Sequence, residues 1–138
     1  MRFGPAPAVL AVILSLGASP ALAVVCQDTS MSLDEVVDVI KAAQGCAGAM
    51  KIFKACSLGT SGDIRMGEAV ENKCESDFLA GLKAQQKQAY QRELTVCDRK
   101  YRNESGTMYR SFTAFCRAEI SQRYSAMALK AASPSRAR

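Results

Sequence analysis

The chain contains no histidine. That removes the commonest general base and the most frequent metal ligand together. It has no CxxC pair, and its cysteines stand far apart, so both zinc-ligand spacing and a CxxCH haem attachment are missing. "GTSGD" (59–63) is not followed by the Lys-Ser/Thr of a phosphate-cradling P-loop. There is no internal repeat and no alternating strand pattern. Proline is absent between Ala21 and Ser133. Beyond residue 23, no run approaches the roughly 20 apolar residues that span a bilayer. What remains for catalysis is carboxylates, and Glu68, Glu71, Glu75 and Asp77 read more simply as the solvated face of a helix. The expectation is a protein that is not an enzyme and needs no cofactor.

What is present begins with MRFGPAPAVLAVILSLGASPALA. One charged residue (Arg2), an apolar run from Ala8 to Leu16 and a closing Ala21-Leu22-Ala23 make the three-part layout of a secretory signal peptide. Residues 1–23 are therefore expected to be removed, with cleavage after Ala23. A lipoprotein is not indicated, because Val25 precedes Cys26 where a small residue is required. Residues 24–130 are expected to form a single helical domain, and 131–138 a flexible basic tail. A domain of this size buries a limited share of its surface and benefits from covalent staples.

All six cysteines, Cys26, Cys46, Cys56, Cys74, Cys97 and Cys116, follow the leader. An even number in a short exported chain reads as three disulfides in an oxidising compartment. The expected location is periplasmic or secreted.

Composition points to helix throughout, with Ala, Leu, Lys, Glu, Gln and Met prominent. Ser32 followed by Glu35 is a capping box, with Met31 and Val36 placed as a hydrophobic staple. Leu33, Val36, Val37 and Ile40 mark an apolar face, and Gly45 is a natural stop, giving a helix over 33–44. A second helix is expected over 46–57, with Met50, Phe53 and Cys56 inward. "LGTSGD" (58–63) is the clearest loop. Helical pattern resumes at Ile64 and continues toward Asn103. Its two apolar stripes, Val70–Cys74–Phe78–Leu82 and Tyr90–Leu94–Cys97–Tyr101, are rotated apart. Either the helix breaks near Gly81–Gln88, or its halves meet different neighbours. A last helix is expected over 107–130, with Met108, Phe112, Cys116, Ile120 and Met127 on its inner face. The fold class is thus all-α, a small disulfide-stapled bundle of about four helices containing a helical hairpin.

The hairpin follows from "CDRKYRNESGTMYRSFTAFC". Cys97 and Cys116 are equidistant from the Gly106–Thr107 bond. If antiparallel helices flank Asn103–Thr107, equal rise per residue puts both cysteines at one height, with Tyr101 opposite Phe112. A disulfide needs Cα atoms within about 7 Å, so the two must point at each other across helices whose axes lie about 8–10 Å apart. Likewise Cys46 and Cys74 are equidistant from Thr60 in the loop, which leaves Cys26 for Cys56. The competing pair Cys56–Cys74, with Cys26–Cys46, would centre its hairpin on Arg65, past the loop.

Charge divides the chain. Residues 24–98 carry eight Lys/Arg against eleven Asp/Glu, and residues 99–138 carry nine against two. Arg99, Lys100, Arg102, Arg110 and Arg117 make a candidate binding surface for an acidic partner, an anionic lipid surface or an envelope polysaccharide. The commoner explanation is local: cations at a helix C-terminus offset its dipole, and Arg110 and Arg117 lie opposite the apolar face as solvated charges. An exported chain with no aromatic interleaving is not expected to bind nucleic acid. Glu119 and Arg123, four apart on the apolar side of the last helix, are expected to form a partly buried internal pair. Asn103-Glu104-Ser105 is a glycosylation sequon, relevant only to a eukaryotic secretory route.

Residues 88–127 resemble the C-terminal half of the LprI-type lysozyme-inhibitor family. The resemblance lies in Gln91 with Leu94, Tyr101-Arg102 before Gly106, then Cys116 and the Arg123-containing helix. It implies an exported helical binding domain with a lysozyme as partner. The expected function is therefore a non-enzymatic envelope binding protein, for which the resemblance implies a lysozyme-inhibitor-like role. The alternative is a structural or stress-protection protein whose basic C-terminal surface meets anionic lipid or polysaccharide.

Overall fold

The computed structural model describes Cys26 and residues 31–134. The expected signal peptide, its cleavage after Ala23 and the last residues of the tail, 135–138, lie outside the described residues. Within them the chain is all-helical, with five α-helices and no strand.

Helix α1 spans Leu33–Ala42. The Ser32 backbone N–H donates to Glu35 Oε2 at 2.6 Å, and the Glu35 N–H donates to Ser32 Oγ at 3.3 Å. Two otherwise orphaned amides are thereby satisfied. The Ser32 amide bond also holds the Glu35 carboxyl below the usual carboxylate range. Val36, Val37 and Ile40 face inward. The helix stops at Ala42, short of the expected 44, and the Lys73 ammonium donates to the Lys41 carbonyl at 3.0 Å near its C-terminus. Gly45, expected as a stop, instead begins α2 with φ +71°.

Helix α2 (Gly45–Cys56) buries Cys46, Ala49, Met50, Phe53 and Cys56, a regular helical stripe. Helix α3 (Gly62–Glu75) buries Asp63, Met66, Gly67, Ala69, Val70 and Cys74. Each of these three helices packs against the other two, and α5 packs on the group, chiefly along α3. Helix α4 packs on α5.

The segment expected to run from Ile64 to Asn103 is two helices. It breaks over residues 76–83, earlier than Gly81–Gln88, through a single 3-10 turn at Leu79–Gly81. Ser76 folds its hydroxyl back onto the Lys73 carbonyl at 2.6 Å, and Phe78 turns inward against Tyr90 and Tyr124, with ring centroids 5.0 and 5.4 Å away. Helix α4 then starts afresh over Ala84–Lys100, with Tyr90, Leu94 and Cys97 buried. The break re-aims the second apolar stripe toward α5.

Helix α5 (Thr107–Ala132) follows a reversal at Gly106, whose φ of +111° is poorly accessible to other residues. It extends two residues into the expected tail. Its buried face also corrects the expectation. Met108, Phe112 and Met127 are 50%, 42% and 52% exposed, while Ser111, Ala114, Ala118, Ser121 and Ser125 are buried. These small residues let α5 approach α3 closely: a Cβ added at Gly67 would stand 2.9 Å from the Ala114 Cβ. Aromatic packing flanks the seam, with Phe115 stacked on Phe53 at 4.2 Å.

All three disulfides join the expected cysteines. The Cα separations are 5.0 Å for Cys26–Cys56, 4.5 Å for Cys46–Cys74 and 5.7 Å for Cys97–Cys116.

Candidate binding surface at the hairpin end

The serines on the buried face of α5 are each matched to a different element. Ser111 donates to Asp63 of α3 at 2.6 Å, and Ser125 donates to Asp77 in the α3–α4 break. Ser121 meets the Tyr90 hydroxyl of α4 at 2.7 Å. Asp63 also accepts the amides of Leu58 and Gly59, at 3.2 and 2.9 Å, tying the α2–α3 loop to the start of α3. Tyr90 donates to Glu75 at 2.9 Å. Burial raises the Glu75 carboxyl above its ordinary range, and burial, with Glu75 close by, raises Tyr90 well above that of a free tyrosine. Among the described residues no buried side-chain polar atom lacks a partner.

A cleft of about 620 Å³ runs between α3 and α5, lined by Glu68, Glu71, Asp98, Arg110 and Arg117 among others. Three carboxylates beside a cleft invite a catalytic reading. Arg117 answers it. Its Nε and Nη2 donate to Glu71 at 2.9 and 2.7 Å, and its Nη1 donates to both Asp98 oxygens at 3.0 and 2.9 Å. Burial opposes the guanidinium charge, but Glu71 and then Asp98 outweigh it and raise its pKa. Glu71 and Asp98 are thus both engaged as hydrogen-bond acceptors of one guanidinium. The arrangement joins α3, α4 and α5, and Arg117 belongs to it rather than to a solvated face.

The expected Glu119–Arg123 pair is not formed. Arg123 pairs with Glu93 of α4, whose other oxygen accepts the Tyr124 hydroxyl at 2.7 Å. Glu119 is exposed. Helix α4 covers this side of α5, so its carboxylate wins over one on the same helix.

The four other expected cations stay exposed around one end of the molecule. Arg99 and Lys100 close α4, Arg102 lies in the link, and Arg110 sits in the first turn of α5. None forms an ion pair among the described residues. Glu104 is the opposing charge in the link. Between them Tyr101, Tyr109 and Phe112 form a triangle, with centroids 5.7 to 6.1 Å apart. The Lys100 ammonium lies 5.1 Å from the Tyr101 ring centre. Tyr101 and Phe112 face each other as expected, but at the surface and not in the interior. The missed signal was Tyr109, which adds a third ring one turn before Thr113. The cluster stands one helical turn, about 6 Å, beyond the Cys97–Cys116 bond, which holds it in place.

No family model, curated protein or solved structure matches this chain. Among the described residues no helix is long and apolar enough to cross a membrane.

Proposed function

We propose that this is an exported, non-catalytic binding protein of the cell envelope, which engages an anionic partner through the aromatic–basic end of the α4–α5 hairpin. The observation that carries the reading is the combination at that end. Four exposed cations, none ion-paired among the described residues, stand at the end that carries three partly exposed rings, Lys100 lying over Tyr101. Arg65, Arg117 and Arg123 are matched to carboxylates, while Arg92, Lys51, Lys54, Lys83, Lys87 and Lys130 are, like these four, outside any ion pair among the described residues, so it is the adjoining rings that set this end apart. Export is supported by the leader pattern of residues 1–23 together with three disulfides.

A second reading makes the chain a lysozyme inhibitor. It is supported by the position of Tyr101, Arg102 and Gly106, which carry the family resemblance and lie on this same end. It ranks second because lysozymes are generally cationic and would meet four cations there.

The test measures retention of the oxidised protein on anionic vesicles and on an anionic polysaccharide as salt rises, beside a lysozyme-inhibition assay. Retention that weakens with salt, and is lost on reversing Arg99, Lys100, Arg102 and Arg110 to Glu, is expected. Submicromolar lysozyme inhibition that survives those reversals would replace this reading with the second.

A further inference from the structure

We infer that the surface engaged by the hairpin end is an anionic phospholipid bilayer, entered by Met108, Phe112 and the two tyrosine rings. This rests on the reading above and narrows it to one partner. Phe112 and Met108 are 42% and 50% exposed, and neither offers a hydrogen bond to a sugar hydroxyl. Tyr101 and Tyr109 each join an apolar ring to a polar tip, the chemistry suited to the headgroup level of a membrane. Arg99, Lys100, Arg102 and Arg110 supply the complementary charge for lipid phosphates; the carboxylates nearby are Glu104 in the link, Asp98, which Arg117 engages, and Glu68, which lines the same cleft as Arg110.

The neighbouring α2–α3 loop carries a further exposed apolar side chain. Thr107 donates to the Gly59 carbonyl at 3.5 Å, which brings the loop carrying Leu58, 79% exposed, beside the start of α5. The face is also preformed. Cys97–Cys116 pins the two helices one turn away, and the Asp63 carboxylate anchors Leu58 through its amide. A surface ordered in advance loses less conformational freedom on binding. Apolar side chains of this kind sit about 5–10 Å into the headgroup–acyl boundary while cations remain at the phosphates. An anionic polysaccharide, by contrast, would draw on the cations and stack its sugar faces on the rings, but offers no apolar interior for Met108.

The experiment is cosedimentation of the oxidised full protein with phosphatidylcholine vesicles, with and without phosphatidylglycerol, at low and high salt. An anionic polysaccharide runs in parallel. Binding is expected only with phosphatidylglycerol. Neutralising each of the four cations should weaken it about fivefold. A salt-resistant remainder should persist and fall about tenfold or more in the double variant Met108→Ser/Phe112→Ser. Because the chain has no tryptophan, Phe112→Trp provides a second readout, with indole emission shifting to the blue on phosphatidylglycerol vesicles. Far-UV circular dichroism confirms that each variant is folded. Vesicle binding untouched by the double serine change, or indole emission from the Phe112→Trp variant that stays unshifted on bound vesicles, overturns the inference. Retention on the polysaccharide alone overturns it too, while the anionic reading stands. Retention on neither overturns both.

Discussion

Replacing Arg117 with Met separates a joint from a surface charge. The guanidinium is 29% exposed and makes two bonds to Glu71, whose side chain is 13% exposed, and two to Asp98, which is 49% exposed. A fully buried pair broken on one side costs about 3–5 kcal/mol. Here the Asp98 half is solvated and is worth less than about 1 kcal/mol. The Glu71 half, two charge-assisted bonds to a nearly buried carboxylate, carries most of the effect. Together they give a loss of about 2–3 kcal/mol. With a slope of about 1–1.5 kcal/mol per molar urea for a domain this small, the midpoint should fall by about 2 M. The double variant Arg117→Met/Glu71→Met removes the stranded carboxylate and should recover about half of the loss. Equilibrium urea unfolding with disulfides intact measures the native chain, Arg117→Met, Glu71→Met and the double variant. A loss under about 0.5 kcal/mol in the single variant, or a double variant that simply adds the two single losses, would refute the reasoning.

Three further outcomes are expected. Gly67→Ala pushes a methyl within 2.9 Å of the Ala114 Cβ and 3.3 Å of its carbonyl oxygen, so despite better helix propensity it should cost about 1–2 kcal/mol. Adding Ala114→Gly should recover part of that in thermal unfolding, and no recovery would mean the seam is looser than the short Gly67–Ala114 approach implies. Asp63→Ala strands two backbone amides and the Ser111 hydroxyl, and should destabilise by about 2–4 kcal/mol. Amide exchange at Leu58 and Gly59 should speed up, and unchanged protection there would contradict the anchoring role. Burial holds the folded Glu75 carboxyl above its unfolded value, so the ionised form penalises folding. That penalty is absent at pH below the ordinary carboxylate range and fully present above the raised value. Glu75→Gln should therefore gain stability relative to the native chain as pH rises from about 3 to 7, and a pH-independent difference would count against it.

Much of the architecture was legible because local chemistry and topology agreed. Ser32 with Glu35 announced α1, and the glycines about Thr60 and Gly106 placed two reversals. Once those were set, equal distances along antiparallel helices named Cys46–Cys74 and Cys97–Cys116, and Cys26–Cys56 followed. The inner face of α5 was not legible, since periodicity weighs large apolar residues. That helix buries alanine and serine so that its backbone can approach Gly67 of α3. Large side chains were consequently displaced outward, which is why Met108 and Phe112 lie on the surface. The partners of Arg117 and Arg123 were also hidden. Each ion pair joins residues 19 to 46 positions apart, and no short-range spacing encodes them. The exposed end was half visible: its cations stand out in the sequence, but the third ring, Tyr109, meets the others only once α4 and α5 fold together.

Peptide mapping without reduction, on protein isolated from its own host and alkylated at once, probes export, pairing and the preformed hairpin in a single run. The expected result is a chain starting at Val24 with linked peptides joining Cys97 to Cys116, Cys46 to Cys74 and Cys26 to Cys56. Free thiols at Cys97 and Cys116, or either of them bridged to another cysteine, would contradict it.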